Sequence, residues 1–412
     1  MDTTVQKVTL NFENTENAFK YKSDKDLKQA QFLFSSMGYQ WLVELGTRIT
    51  PWAIKSGLPI KGIIRNTIFK QFVGGESLEE TKPVVDLLGQ HHVQVILDYG
   101  AEGGQEEASF DHTMQQFINV IDYAGTQPNI PFMSVKVTGI ARFALLEKLD
   151  DLMHRSTNTL VKRYEAALSQ LNPQETEEWN RVVARTESIC QHAMAQNMGV
   201  LIDAEETWIQ DPVDALVILM MDKYNKGVCL VYNTLQLYRH DRLAFLRSMM
   251  EAGKERGFVV GAKLVRGAYM EKERKRAEDM GYPSPIQPDK ESTDRDYDEA
   301  VQLCIDHLDQ CSLILASHNE NSNKLAVDLL QKKGLPINHE RVHFSQLFGM
   351  SDNITFNLAK AGCNVSKYLP FGPIEEVIPY LMRRAQENSS VGGQTGRELM
   401  FIKKEIIRRG VK

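Results

Sequence analysis

One stretch near the C-terminus gathers the residues best suited to gripping an anion. Residues 373–388 contain Tyr380, Arg383, Arg384 and Glu387. On a helix, Glu387 falls four residues after Arg383 and three after Arg384, within reach of both guanidinium groups. Arginine meets a carboxylate with two parallel hydrogen bonds, so a glutamate holding an arginine pair would preorganise a fork for an anionic ligand. An arginine pair is more often a solvated helix face, and Arg408 with Arg409 is read that way. Pro379 suits the helix if it falls in the first turn, where amides have no helical partner.

The strand-like segments carry cations of their own. Lys136 sits between Val135 and Val137, and a lysine in an apolar strand is rare unless it is paired. It suits either an ion pair with a substrate anion or a Schiff base with a carbonyl substrate. Asp203 would partner such cations, or merely cap a helix. Residues 261–269 read GAKLVRGAY. They bring Lys263 and Arg266 together in a buried segment, expected on one strand face. Gly267 and Ala268 would let a bulky ligand approach the backbone closely.

Other signals are weaker. His318 and His343 lack metal-ligand spacing, and a structural role is the better reading of His343. The GGQTG run at 392–396 is a poor phosphate signature by itself, and neither GxGxxG after a strand nor a Walker loop is present. The five cysteines show no CxxC or metal pattern. Cys229 and Cys363 are placed in strands as small buried hydrophobes, which fits a reducing compartment.

What must position these groups is a repeated unit. Eight apolar runs recur: VQVILDYG from Val93, FMSVKVTG from Phe132, GVLIDAEE from Gly199, GVCLVYNTLQ from Gly227, FVVGAKLVRG from Phe258, SLILASHN from Ser312, RVHFSQLFG from Arg341 and NVSKYLPFG from Asn364. Each ends on a polar or charged residue: Asp98, Lys136, Asp203, Gln236, Lys263 with Arg266, His318, Gln346 and Tyr368. Continuous apolar runs without alternation are what strands look like when buried on both faces, as parallel strands are. Amphipathic, helix-length segments separate them. Eight strand–helix units predict an α/β fold, a closed (β/α)8 barrel whose chemistry gathers at the strand C-terminal ends.

The chain of 412 residues exceeds the roughly 250 that such a barrel needs. The surplus is assigned to an N-terminal helical arm over 1–90 and a polar helical insertion around 141–198, with the catalytic barrel over 91–412. Within the arm, residues 24–36 and a segment opened by Ser77 and Glu80, a capping-box pair, are expected to be helical. Residues 280–298, with Pro283, Pro285 and Pro288, are expected to be irregular, as a mobile lid or a plain surface loop. A net charge of -6 argues against a nucleic-acid partner. No secretion or transit signal is visible, so a cytoplasmic protein is expected, with a peripheral place on an inner membrane as the option (the mitochondrial matrix side if a transit peptide has been removed), and the 215–221 apolar stretch is too short to span a bilayer.

Read together, SVKVTG, LIDAEE, LQLY, KLVRGAY, ASHN, YLPFG and YLMRRAQEN resemble the proline dehydrogenase family, in order from about Asp98 to the C-terminus and in its monofunctional form. The resemblance implies a distorted (β/α)8 barrel with FAD bound non-covalently at the strand C-termini. It implies oxidation of L-proline to Δ1-pyrroline-5-carboxylate, with hydride passing from Cδ to flavin N5 and electrons going on to a membrane quinone. By motif, Arg383 and Arg384 with Lys136 would hold the proline carboxylate, Asp203 and Tyr368 would line the pocket, and Glu387 would support the arginines. Gln236, Lys263, Val265, Gly267, Ala268, Tyr269 and His318 would contact FAD. Lys263 stands where many relatives carry arginine beside the flavin, which keeps the charge but not the bidentate geometry. Relatives that prefer 4-hydroxyproline tend to carry a smaller residue at the Tyr368 position, so a hydroxyproline dehydrogenase is the neighbouring alternative. A Schiff-base lyase built on Lys136 is the alternative from another class. Transient membrane contact through residues 397–409 is a further option, beside simple packing on the barrel.

Overall fold

The structure, a computed structural model, describes residues 9–39, 41, 43–44, 46, 60–100, 106–156, 158–389 and 395–411. All eight predicted runs form strands: β1 (Gln94–Tyr99), β2 (Phe132–Val135), β3 (Gly199–Ile202), β4 (Val231–Gln236), β5 (Val260–Val265), β6 (Cys311–Ala316), β7 (Val342–Leu347) and β8 (Val365–Phe371). They close into a barrel in sequence order, and β1–β8, β2–β3 through β5–β6 and β7–β8 pair in parallel. Burial explains why alternation was missing from the sequence. Every residue of β3, β4 and β8 is buried, whichever way it points.

The chain divides into two compact units, one of residues 1–100, 318–320 and 344–412, the other of residues 101–317 and 321–343. In the first, no strand precedes β1 among the described residues. The helix Asp24–Met37 begins at a capping box in which Ser23 and Asp26 satisfy each other's backbone amides. Its apolar positions Leu27, Ala30 and Phe34 recur at helical spacing and pack in one core with Val377, Leu381, Phe401 and Ile402. Burying a phenylalanine such as Phe34 contributes about 1.5–3 kcal/mol relative to leaving it in water. The expected helix after Ser77 runs Leu78–Gln90, with Ser77 accepting from the Glu80 amide. Only half of the box forms, because the Glu80 carboxylate turns to the Glu76 amide and Arg65 instead.

The helix carrying the arginine pair spans Ile374–Ser389, which places Pro379 in its second turn rather than its first. The helix therefore forgoes one amide hydrogen bond there. The Thr395–Arg409 helix buries Phe401 and Ile402 in the same core, the packing role for its apolar face. Arg409 is not solvated as expected: it meets Glu405, Asp24 and the carbonyls of Phe19 and Lys22.

The second unit holds β2 to β6. Between β2 and β3 lie helices Phe143–His154, Leu160–Leu168 and Pro173–Ala195, the last opened by an Asn172–Glu175 capping box. The 215–221 stretch falls within the helix Gln210–Tyr224, whose residues are buried over almost its whole length. The expectation of irregular chain over 280–298 is half wrong. Asp289 accepts from the Ser292 amide and starts a helix over Lys290–Asp306, so only the proline-bearing residues before it stay irregular. Those residues are tied down: Gln287 donates to the Tyr238 carbonyl at 2.7 Å, and Ile286 bridges Arg239. All five cysteines are free, and Cys229 and Cys363 stand just before β4 and β8 rather than inside them.

Candidate active site

In the second unit, residues from β2, β3 and β5 meet as one buried ion cluster. Lys136 follows β2 at the start of a short 3-10 turn, Asp203 follows β3, and Lys263 stands in the middle of β5. The Asp203 carboxylate lies 2.5 Å from the Lys263 ammonium and 3.6 Å from that of Lys136. All three side chains are buried. Two cations meet on one carboxylate here, and positive charge is the polarity an anionic ligand needs. Burial raises the stakes, since desolvating an unpaired ion costs several kcal/mol.

The expected pairing of Lys136 with Asp203 is present, and Lys263, assigned a separate role by the resemblance, joins it. Arg266 behaves differently. It lies three residues after Lys263, an odd offset that points side chains to opposite faces, so the expectation of a shared face fails. Its guanidinium engages Asp294, Ser317 and Ser322 and stacks over Tyr297 at 4.2 Å. Gly267 is required by a neighbour and not only by a ligand: its φ is 129°, and a Cβ there would lie 2.5 Å from the Tyr238 ring. Val265 is half-buried, Ala268 is exposed, and Tyr269 leads into the helix Met270–Met280.

Glu205, which the sequence did not single out, prepares this end of the unit together with Gln236, which it did. Glu205 accepts from the Thr138 hydroxyl at 2.6 Å, fixing the turn that carries Lys136, and its carbonyl accepts from the Gln236 amide at 3.2 Å. The other amide atom of Gln236, Oε1, is buried with no hydrogen-bond partner among the described residues. A buried carbonyl left in that state costs about 1–3 kcal/mol until something donates to it. The acidic DAEE run was the available signal for Glu205. His343 is buried in this unit against Phe132, and burial lowers its pKa to about 3, so it is a neutral structural histidine as expected.

In the first unit, Glu387 receives the Arg384 guanidinium at 2.6 Å, and the charge of Arg383 acts on the same carboxylate. Burial pushes the Glu387 pKa up, and both arginines pull it back down. Arg384 is only 6% exposed and stands over the Tyr380 ring at 5.3 Å. The Tyr380 hydroxyl is buried with no hydrogen-bond partner among the described residues. Tyr368 does not close β8, as the sequence suggested, but is its fourth residue, level with Ile96 of β1 and Leu347 of β7. The strand runs on to Phe371, helped by the Gly74 amide donating to the Pro370 carbonyl. Asp98 is buried in β1, and Gln346 in β7 accepts from Thr355. His318, two residues beyond β6, meets the Ser351 hydroxyl at 2.8 Å. Residues 392–394 of the GGQTG run lie outside the described residues.

The sequence reading missed a second buried charge network in this unit. Lys367, fully buried on β8, pairs with Asp352 at 2.9 Å, and Asp352 also meets Tyr21 at 2.7 Å and Lys22 at 3.5 Å. Glu398 lies beside them, its pKa raised to about 7 by burial and by Asp352. The signal that flagged Lys136, a lysine within an apolar strand, is equally present in NVSKYLPFG.

A closed (β/α)8 barrel with ionisable groups at its strand ends is the build of a barrel enzyme. This chain belongs to the proline dehydrogenase family, whose profile matches residues 82–397. It is 31% identical to hydroxyproline dehydrogenase of Xenopus laevis, over 95% of this chain and 88% of that protein. It is 27% identical to mitochondrial proline dehydrogenase 1 of Caenorhabditis elegans, over 98% of this chain and 89% of that one. Among solved structures, proline utilization A of Bdellovibrio bacteriovorus is similar with a TM-score of 0.72 at 18% identity. That likeness, which covers 94% of this chain and 42% of the other, is one of fold.

Proposed function

We propose that this chain oxidises L-proline to Δ1-pyrroline-5-carboxylate, with FAD as cofactor and a quinone as electron acceptor. The observation that carries the reading is the Arg384–Glu387 pair: a buried guanidinium held at 2.6 Å by a carboxylate, on the helix that follows the last strand. Arg383 and Arg384, with Lys136, hold the substrate carboxylate; Asp203 and Tyr368 line the pocket; Glu387 keeps the arginines in place. Residues 1–90 serve as an arm and 91–412 as the catalytic part, with 141–198 as its helical insertion.

The donor set suits a flavin. The unsatisfied Gln236 Oε1 offers an acceptor to an imide N–H, and Lys263 adds a fixed cation. Gln236, Lys263, Val265, Gly267, Ala268, Tyr269 and His318 would hold FAD. When bound, FAD supplies the acceptor for the hydride leaving proline Cδ. The chain's own part is to bind and orient the ring, exclude water, and place positive charge where negative charge develops. Contact with a membrane surface would be peripheral, since no helix among the described residues is long and apolar enough to cross a bilayer. Relatives named as mitochondrial favour a mitochondrial or inner-membrane setting over a free cytoplasmic one. The deciding experiment is optical. Purified protein should be yellow and should bleach on anaerobic addition of L-proline, and a colourless protein overturns the reading.

The pH dependence follows from the substrate's protonation. Only the neutral amine has a lone pair to assist hydride departure, while the carboxylate must stay ionised for Arg383, Arg384 and Lys136. The rate of proline-dependent bleaching should rise as pH increases above neutrality and then level off. Stopped-flow traces flat from acid to alkaline pH contradict this assignment of roles.

A second reading, oxidation of 4-hydroxyproline, is favoured by one observation: relatives of that name match at 31% and 32% identity over 95% of this chain. Tyr368 is the residue that separates the two. It is 8% exposed, and a closely packed phenol leaves little room for a ring hydroxyl. L-proline should be preferred over trans-4-hydroxy-L-proline, and Tyr368→Ser should narrow the ratio mainly by impairing proline turnover. If Tyr368→Ser lowers the melting temperature but leaves the substrate ratio unchanged, Tyr368 is only filling space. A wild type that prefers hydroxyproline makes the second reading the right one.

A further inference from the structure

Four helices of the first unit end around one cleft, and each brings a cation to it. Lys20 caps the helix Thr15–Phe19, and His91 caps Leu78–Gln90 with His92 behind it. Lys360 lies in the last turn of Asp352–Ala361, and Arg408 and Arg409 close Thr395–Arg409. The cleft encloses about 560 Å3, within the span of about 300–1000 Å3 typical of small-molecule sites. His92 precedes β1 and Lys360 precedes β8, so the cleft opens where these strands begin, not at their C-terminal ends.

A cation at a helix C-terminus complements the partial negative charge there, which accounts for each of these residues singly. Three observations go beyond that role. Lys20 and Lys360 are exposed and have no ion pair among the described residues. A positive field is already felt inside the cleft: after burial, the charges of Lys20 and His92 push the His91 pKa below its ordinary value. His92 occupies the left-handed position of its helix end, at φ 57°, where its amide and that of Val93 return to the carbonyls of Gly89 and Leu88. Glycine is the residue that such ends favour, so an imidazole stands here against the preference of the backbone. Among the described residues, Glu16 is the one acidic side chain lining the cleft, and it is exposed, 3.7 Å from Arg408.

The donors left over decide which anion fits. Arg408 gives Nε and Nη2 to Glu405, and Arg409 gives Nε to the same carboxylate and its remaining nitrogens to Asp24 and main-chain carbonyls. What remains is a set of point donors on separate stems: the ammonium groups of Lys20 and Lys360 and the imidazoles of His91 and His92. A planar carboxylate is matched by a guanidinium fork, whereas ammonium point charges suit the several oxygens of a phosphate. We propose that this cleft binds a phosphate-bearing anion, either a free phosphate compound or the headgroup of an anionic lipid. The site stands apart from proline oxidation, and neither needs the other.

The test uses the full-length chain with pyrophosphate as the probe. Calorimetry should show saturable binding. The ring signals of His91, assigned with His91→Gln, should titrate at higher pH in pyrophosphate than in sodium chloride of equal ionic strength. Lys20→Gln combined with Lys360→Gln should weaken binding about five-fold, the effect of two exposed charge contacts, and leave proline-dependent bleaching as in wild type. His92→Gly relieves the backbone and should weaken binding without lowering the melting temperature. Cosedimentation with phosphatidylglycerol vesicles tells the two sources apart. Wild type that sediments and is released by pyrophosphate, while the double lysine variant stays in solution, identifies a headgroup site. Pyrophosphate binding without sedimentation identifies a soluble phosphate compound, and both results uphold the cleft. Absence of pyrophosphate binding, or chloride that moves His91 as far as pyrophosphate does, overturns the proposal. So does binding of wild-type strength in both the double lysine variant and His92→Gly, which would leave these cations complementing helix ends and nothing more.

Discussion

Replacing Arg384 by methionine should raise the KM for L-proline far more than it lowers flavin content. The substitution removes one charge-assisted bidentate contact to the substrate carboxylate, worth about 2–4 kcal/mol, or roughly 30- to 1000-fold in kcat/KM. It also leaves Glu387 without the partner at 2.6 Å, in a place where burial already pushes its pKa up. The variant should consequently bind proline more weakly still as pH rises and that carboxylate ionises. Methionine keeps the aliphatic volume over Tyr380, so the melting temperature should move little. Steady-state kinetics with FAD occupancy measured alongside decides the matter. Unchanged proline kinetics would detach this helix from the site altogether.

Asp203→Asn should be the most damaging single change to stability. It keeps the shape of the side chain but takes from the buried ammonium groups of Lys136 and Lys263 the carboxylate they share, and breaking a buried ion pair in this way costs about 3–5 kcal/mol. The diagnostic comparison is the double variant Asp203→Asn with Lys136→Met. By removing one of the two stranded charges, it should recover much of the lost melting temperature. Additive losses instead of recovery would mean that Asp203 acts through something other than these lysines.

The two halves of the candidate site differed in how readable they were. The strands were legible because β3, β4 and β8 are buried on both faces, so apolar runs and their polar ends could be found without knowing any partner. The Arg384–Glu387 contact was legible because helical spacing alone brings the two together. Lys136, Asp203 and Lys263 were each conspicuous and the Lys136–Asp203 pairing was expected, but the arrival of Lys263 at the same carboxylate is a tertiary contact that no local pattern encodes. Arg266 was misplaced because parity along a strand was misjudged, and its partners Asp294 and Ser322 come from separate helices. The helix at Lys290–Asp306 was hidden behind three prolines that end just before its Asp289 cap. Lys367 carried the same signal as Lys136 and was overlooked, whereas Asp352 and Glu398 look ordinary in their own segments, and only tertiary contact makes the three a network.

That network also sets an order of events. Lys367 is fully buried on the closing strand, and the carboxylate that neutralises it, Asp352, is completed by Tyr21 and Lys22 across a separation of 331 positions in the case of Tyr21. Arg409 ties the far end of the chain to the carbonyls of Phe19 and Lys22. Residues near position 20 thus find these partners more than 330 positions later in the chain. At roughly 5–20 residues per second, the helices around these residues wait on the order of 20–70 s for the segment that covers them. Through that interval the apolar face of Leu27, Ala30 and Phe34 lacks the part of its core that Val377, Leu381, Phe401 and Ile402 supply. Synthesis in vivo should accordingly show prolonged chaperone occupancy at this end, and removal of the first 23 residues should impair the maturation of a strand more than 340 positions downstream.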